Sequence, residues 1–600
     1  METTEEPKQA LPGATHDGQI YVPSPDEDGF TWRAIGVGCL LGGVVSCMNI
    51  YFGLKSGWSI GGSLIAAILG FSVFASLKPN KAYGVLETNI TQTSGSAAGT
   101  MTSAAGLLAC IPALDMLGHT LSYIELTIWA ASIAYLGVFF AVPLRRQMVL
   151  VEKLRFPTGT ATAEVIVAMN ASGDETLEKS RALLTWGLLA AVFTLAAFFV
   201  PQLGHPPLET WLPIAALGAA AAYGFTLLVN PLMYGAGILI GPRVAASLLA
   251  GAVFSWGILG PYVQSAGWVE GSIMSYEDGV RGWILWPGVA IMVADALTQL
   301  GLSWKTIINA FKRAGENSDL PAEAIDDMIP NSWWMGGLAV STIAVTLVAK
   351  TMFDIPIHLT LLAVALSSVL AMIAVRSTGE TDINPIGGMG KVTQLVYGGI
   401  APGMMTTNLL AAGITGSGAS QAGDMMQDLK TGYLLGAKPR AQFKAQLIGI
   451  VAGILFCVPV YKLFDTAYEI GGEELPAPAA HAWRAMAELL AKGLDALPQN
   501  AEMAVVCGLI FGIAMPVLGK IGGLKKYLPS GLAFGIAFIV PAYYSLAMFV
   551  GMVIFQLWRR QNPAKADRLG FSIASGLIAG EGLMGIVVAI LTILGFSALT

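Results

Sequence analysis

Apolar residues in this chain come in long blocks rather than in the amphipathic spacing of a half-buried helix. Trp32–Gly53, Gly57–Leu77, Ala182–Pro201 and Ile573–Leu594 each approach the roughly 20 residues a helix needs to cross a bilayer. Inside hydrocarbon every peptide group must be paired within the chain, so helices are favoured, and no series of alternating segments reads as a membrane barrel. About 16 to 18 such blocks can be counted, several short or interrupted by Gly and Pro. The pattern predicts an all-α polytopic membrane protein with broken or re-entrant helices.

Composition agrees. Hydrophobic residues make up 54% of the 600 positions and charged residues 12%, against roughly 25% charged in soluble proteins. Mean hydropathy is +0.65. The formal net charge of −6 carries little information, because the acids gather in the tail and loops. Cys39, Cys47, Cys110, Cys457 and Cys507 stand singly in apolar segments, as small packing residues do. Residues 1–30 are polar, acidic and rich in Pro and Gly without a signal peptide, and are expected to form a disordered tail.

Internal similarity organises the rest. Phe52 matches Phe353, Glu87–Ile90 matches Glu380–Ile383, Glu164 matches Asp424, and Pro201 matches Pro459. Pro242, Ser247 and Gly251 match Pro541, Ser545 and Gly551, and Asp295 matches Glu581. The matches keep chain order, at spacings between 258 (459 − 201) and 301 (353 − 52). They predict two tandemly duplicated halves, residues 31–302 and 332–600, joined by a linker at 303–331. The second half carries an inserted polar loop at 465–500, helical around Ala479–Leu497. Eight crossings per half would give both halves one orientation, and an odd number would invert them. Basic loops at Arg145–Arg155, Lys305–Arg313, Lys520–Lys526 and Arg559–Arg568 do not decide between these.

Three groups of residues are too polar to face lipid. Glu87–Ser103 (ETNITQTSGSAAGTMTS) combines Glu87, Asn89 and Gln92 with small residues. Small residues alone suit close helix packing; the acid and amides suit a transport path. In Glu380–Gly403, Asn384-Pro385 is followed by Gly387, Gly388 and Gly390, which predicts a broken helix. Half-helix ends carry partial charges suited to a peptide carboxylate or an ion, and Lys391 could pair with an anionic substrate group. The third group is Glu164, Asp295, Asp424, Asp428 and Glu581. A carboxyl group within an apolar segment needs a partner or a proton, so these are candidates for proton coupling as well as for helix-to-helix hydrogen bonds. Pro157-Thr-Gly159 and Pro529-Ser-Gly531 read as helix starts.

With its segments ETNITQTSGSAAG (87–99), EKLRFPTGTATAEVI (152–166), TDINPIGGMGKVTQLVYG (381–398), AGDMMQDLKTGYLLGAKPRAQF (422–443) and SGLIAGEGL (575–583), the chain resembles the oligopeptide transporter family. It stands nearer the prokaryotic and yellow-stripe-like branch than the fungal peptide branch, whose Lys-Ile-Pro-Pro-Arg motif has only Lys526-Tyr-Leu-Pro-Ser530 as its nearest counterpart. The resemblance implies about 16 transmembrane helices and proton-driven import of peptides, glutathione-like compounds or metal–chelator complexes.

The expected function is proton-coupled symport of small oligopeptides or peptide-like compounds, bound between the halves near the bilayer midplane. Glu87, Asn89, Gln92, Asn384, Gly387, Gly388 and Lys391 are the expected substrate contacts; Glu164, Asp295, Asp424 and Glu581 are the proton-coupling candidates. No cofactor is expected, and no nucleotide-binding GxxxxGK[ST] is present. The expected partners are substrate, protons and membrane lipid, with no nucleic acid; a homo-oligomer is allowed, and a bacterial inner membrane is the expected location. The alternative is import of metal chelates: His16, His119, His205, His358 and His481 are scattered, so a metal would have to arrive already chelated. A membrane-embedded hydrolase is the distant alternative, since HExxH and clustered Mg²⁺-binding acids are missing.

Overall fold

The computed structural model describes residues 19–597 except 25–26, 78, 172, 208–214, 306–307, 309–327, 383 and 522. Most of the expected tail and most of the linker at 303–331 therefore lie outside the described residues. Among the described residues the chain is helical throughout, with no strand beyond an isolated Ile470–Leu475 bridge. Nine helices among them are long and apolar enough to cross a membrane. Others are shortened or made polar by the residues that carry candidate chemistry, including Val85–Gly99 and Met405–Leu434.

Local rules set the helix ends. Trp32–Ser56 starts where the Thr31 side chain accepts a hydrogen bond from the Ala34 amide, and stops at Gly57, whose φ of 82° is left-handed. The two Pro-Xaa-Gly starts are observed: one helix begins at Pro157 and another at Gly531, capped by Ser530. The break expected in Glu380–Gly403 falls before the glycines, between Thr381 and Ile386. Gly387, Gly388 and Gly390 lie inside the helix Ile386–Ile400. There the absent side chain at Gly390 admits the Trp483 ring, to which a Cβ would come within 2.5 Å.

The expected polar loop at 465–500 contains the helix Pro478–Lys492, and its Trp483 and His481 are buried. The described end of the expected tail is also packed. Ile20 and Tyr21 amides donate to the Leu434 carbonyl at 2.9 and 3.3 Å. Glu27 accepts from the Tyr21 hydroxyl at 2.7 Å and from the Leu86 amide at 3.0 Å.

The helices form two groups. The first contains Trp32–Ser56, Val85–Gly99, Ile357–Thr381, Met405–Leu434 and Pro439–Ala467, and the second contains Pro231–Ala252, Val280–Leu302, Glu502–Leu518, Gly531–Ile539 and Ala542–Gln561. Pro563–Ile593 joins them, packing on Gly173–Phe199, Pro231–Ala252 and Trp32–Ser56. Each sequence half thus supplies early helices to the first group and late helices to the second.

Candidate functional site

All fifteen residues of Val85–Gly99 are buried. Glycines let its neighbours approach: a Cβ at Gly449 would lie 2.5 Å from the Ser94 carbonyl oxygen, and one at Gly62 would lie 2.6 Å from that of Gly95. This close packing leaves little room, so polar side chains converge. Gln442 Nε2 donates to the Asp428 carbonyl at 2.7 Å and to Thr93 Oγ1 at 3.2 Å. Gln92 Nε2 donates to Asn89 Oδ1 at 3.2 Å, and Ser63 Oγ reaches Ser96 Oγ at 2.9 Å and Asp428 Oδ1 at 3.4 Å. Asp428 is 1% exposed. Among the described residues Asn89 Nδ2, Gln92 Oε1, Asp428 Oδ2 and both amide ends of Gln446 have no hydrogen-bond partner. Asp424, one turn before Asp428 on the same helix, is half-buried. An unmatched buried polar atom costs about 1–3 kcal/mol, so these groups favour a polar partner, water or a guest.

The other polar segment reaches the same long helix from another side. Asn384 Nδ2 donates to the Ala419 carbonyl at 2.9 Å and lies against Gly423, next to Asp424. Asp382 ends its helix in a left-handed conformation, φ 66°, which turns its carboxylate onto the start of Pro157–Ala171. There it accepts from the Thr158 amide at 3.0 Å and the Thr158 hydroxyl at 2.8 Å. Gln427 ties this cap to the central helix, donating to Asp382 at 2.7 Å and accepting from the Gly159 amide at 2.7 Å. A buried ion pair, Arg376 to Glu152 at 2.6 Å, braces the break.

The remaining candidates lie elsewhere. Glu87 is buried, but both its oxygens are engaged by Arg33, at 2.7 Å and 2.5 Å, with Thr31 adding a hydrogen bond; it fixes the start of its helix. Glu164 is exposed on its helix and is not packed among other helices. Gly387 is exposed and a Cβ there would meet no other part of the chain within 4 Å, while one on Gly388 would face Ala296. Lys391 is 4% exposed and, among the described residues, has no ion pair or hydrogen bond. Sequence reasoning passed over Gln442 and Gln446; two amides one turn apart at the start of the apolar helix Pro439–Ala467 were the available signal.

Asp295 and Glu581 occupy matching surroundings. Glu581, 2% exposed, accepts from the Leu232 amide at 2.9 Å and from Asn230 Nδ2 at 2.5 Å, at the start of Pro231–Ala252. Asp295, also 2% exposed, lies against the start of Gly531–Ile539, where a Cβ on Gly531 would press on its Oδ1, and accepts from Gln299 Nε2 at 2.6 Å. Each carboxylate meets the positive end of a helix from the other sequence half. Asn230 and Ser530 are the N-caps of those helices. Both helices are then interrupted before a proline: at Gly241 (φ 76°) before Pro242, and at Val540 before Pro541. The backbone contacts match too. A Cβ on Gly235 would lie 2.7 Å from the Ala574 carbonyl oxygen, and one on Gly535 would lie 2.8 Å from that of Gly288. Gly237 abuts Met548 while Gly251 abuts Phe534, so the two interrupted segments run antiparallel.

No cluster of three or more His, Cys, Asp or Glu residues able to hold a metal occurs among the described residues.

Residues 29–592 match the family of OPT oligopeptide transporter proteins. A putative oligopeptide transporter of Saccharomyces cerevisiae is 28% identical, over 93% of this chain and 95% of its own. A probable metal-nicotianamine transporter of Oryza sativa subsp. japonica is 30% identical over 77% of this chain and 73% of its own, and one of Arabidopsis thaliana is 30% identical over 77% and 74%. A chain of long apolar helices whose polar groups gather in its interior, and which matches this family over nearly its whole length, is a multi-pass membrane transporter; it belongs to the OPT oligopeptide transporter family.

Proposed function

We propose that the chain is a proton-coupled symporter importing small oligopeptides or peptide-like compounds across a cell membrane, the inner membrane in a bacterium. The buried cluster of Asn89, Gln92, Asp428, Gln442 and Gln446 carries this reading. Its unmatched donors and acceptors suit a substrate rich in amide and carboxylate groups. Asn384 reaches the same long helix from the side of its break, and Lys391 offers a buried cation to an anionic substrate group. Asp424 and Asp428 stand one turn apart, so a proton on either relieves repulsion between them. Glu581 is a further coupling group.

The matched surroundings of Asp295 and Glu581 support two repeats, 31–302 and 332–600. Antiparallel contact between their equivalent helices favours an inverted relation, with the pseudo-two-fold axis lying across those helices. A second reading, import of metal chelates, is favoured by the relatives described as probable metal-nicotianamine transporters. In that case the metal arrives already coordinated.

The test is uptake into proteoliposomes of labelled tri- and tetrapeptides and of metal-loaded nicotianamine, with and without an inward proton gradient. Gradient-dependent accumulation of intact peptide is expected, together with at least a tenfold loss in Asp428→Asn, about 1.4 kcal/mol. Accumulation of the chelate alone replaces the first substrate class by the second. Accumulation indifferent to the gradient would overturn proton coupling.

A further inference from the structure

A cavity of about 500 Å³ opens at the C-terminal end of Trp32–Ser56, apart from the buried polar cluster. This lies in the range of roughly 300–1,000 Å³ typical of small-molecule sites. Residues from both sequence halves line it: Tyr51, Lys55 and His205 from the first, Tyr468, Glu473 and Tyr544 from the second. Lys55 is the cation of the cavity and is 14% exposed. Its Nζ lies 3.9 Å from Glu581 Oε1, beyond hydrogen-bond length, and 4.5 Å from the Tyr51 ring centroid. The ammonium is balanced by a carboxylate and an aromatic face, yet its three N–H donors remain available to a guest.

The acidic side of the cavity is held in place. Gly472 accepts from Arg281 at 3.3 Å, the Gly471 carbonyl meets the His481 ring at 3.0 Å, and the Ala477 amide donates to the Leu54 carbonyl at 2.7 Å. These bonds fasten the loop bearing Glu473 and Glu474 to the helix that bears Lys55. Neither glutamate is ion-paired among the described residues. The lining of one cavity therefore brings together a cation, two carboxylates and tyrosine rings.

We infer that this cavity binds a zwitterionic amino-carboxylate, with Lys55 taking the carboxylate and Glu473 and Glu474 taking the ammonium group. The inference deepens the transport reading, on which its physiological meaning rests, by giving the substrate a charged recognition site where the two halves meet. A substrate carboxylate at Lys55 would compete with Glu581 for its charge, linking recognition to a coupling candidate.

The test uses the full chain in nanodiscs, with trialanine, trialanine amide and N-acetyl-trialanine as probes in calorimetric titrations. Trialanine is expected to bind about tenfold more tightly than either blocked form, a difference of 1.4 kcal/mol. Lys55→Gln should erase the preference for the free carboxylate, Lys55→Arg should keep it, and Glu473→Gln combined with Glu474→Gln should erase the preference for the free amine. Equal affinity for all three probes, absence of saturable trialanine binding, or discrimination that survives in the variants would overturn the site. The arginine and rim variants keep the test decisive should Lys55→Gln fail to fold. Uptake is read separately: binding without uptake leaves the site standing and removes the transport reading. Uptake with unchanged discrimination in the variants does the reverse.

Discussion

Asp295 and Glu581 are two versions of one arrangement. Each is a buried carboxylate at the start of a proline-interrupted helix contributed by the other half of the chain. The difference lies in what else each touches. Glu581 has Lys55 at 3.9 Å, and through it a cavity. Asp295 has the uncharged Gln299 amide at 2.6 Å, and the backbone of Gly531 pressed against it. A helix start rewards an adjacent carboxylate by about 0.3–1 kcal/mol at exposed positions and up to about 2 kcal/mol when buried. The helix start therefore offsets part of the cost of a buried carboxylate at both places. Asp295 has a cation nearby as well, Arg243, but that guanidinium is tied to the Leu528 and Pro529 carbonyls, whereas Lys55 beside Glu581 lines a cavity and is open to a substrate. On the proposed reading, two acids that look equivalent along the chain separate into an anchor and a candidate coupling group.

The sharpest way to break this comparison is to neutralise each acid in turn. Glu581→Gln keeps an acceptor for the Leu232 amide but removes the charge facing Lys55. Its gradient-driven accumulation is expected to fall at least tenfold, about 1.4 kcal/mol, while substrate exchange without a gradient continues. Asp295→Asn should keep accumulation within about twofold, less than 0.5 kcal/mol, and show its effect as a lower unfolding temperature. Uptake assays on both variants, run beside thermal unfolding in detergent, check this. Equal loss of accumulation in the two would erase the distinction and restore Asp295 as a coupling candidate.

Much of this was legible before any coordinates. Helical class, the helix starts at Pro157 and Gly531, and the break near Asn384 follow from local chemistry that neighbours do not alter. The likeness of Asp295 to Glu581 rests in the sequence on the small residues beside each acid, and each acid stands at the start of a proline-interrupted helix in the structure. Partner identity was not legible. Lys55 at the end of an apolar helix reads as an interfacial anchor, and only tertiary placement shows it facing Glu581. Glu87 reads as a substrate contact because a lone acid in a polar, small-residue segment has no visible partner; Arg33 stands 54 positions away. Glu164 reads as a proton-coupling candidate from its place among apolar residues, and in the structure it is exposed on its helix. Gln442 and Gln446 went unnoticed because two amides in a long apolar helix barely disturb its hydropathy.

A second probe asks whether the two surroundings are equally tight. Gly235→Ala and Gly535→Ala place matching methyl groups against backbone, 2.7 Å from the Ala574 oxygen and 2.8 Å from the Gly288 oxygen. Overpacking of this kind costs about 1–3 kcal/mol. Both variants should lose thermal stability by similar amounts. A large drop for one and none for the other would show that the halves share a sequence pattern without sharing a packing arrangement.

The smallest expected effects come from the caps, and they separate the two sites most cleanly. Asn230 accepts from the Met233 amide at 2.8 Å, and Ser530 accepts from the Ala533 amide at 3.5 Å. Losing either cap should cost about 0.5–2 kcal/mol, with the long bond at Ser530 toward the lower end. The caps differ in their second partners. Asn230 also donates to Glu581, whereas the Ser530 amide donates to Ser247 at 2.9 Å, away from Asp295. Asn230→Ala should therefore lower both stability and gradient-driven uptake, because Glu581 loses a donor that holds it beside Lys55. Ser530→Ala should lower stability alone, its backbone amide being unaffected by the change. Parallel measurement of unfolding temperature and initial uptake rate distinguishes the cases. If Asn230→Ala unfolded earlier yet transported at the normal rate, Glu581 would be an anchor like Asp295, and proton coupling would have to be sought at Asp424 and Asp428.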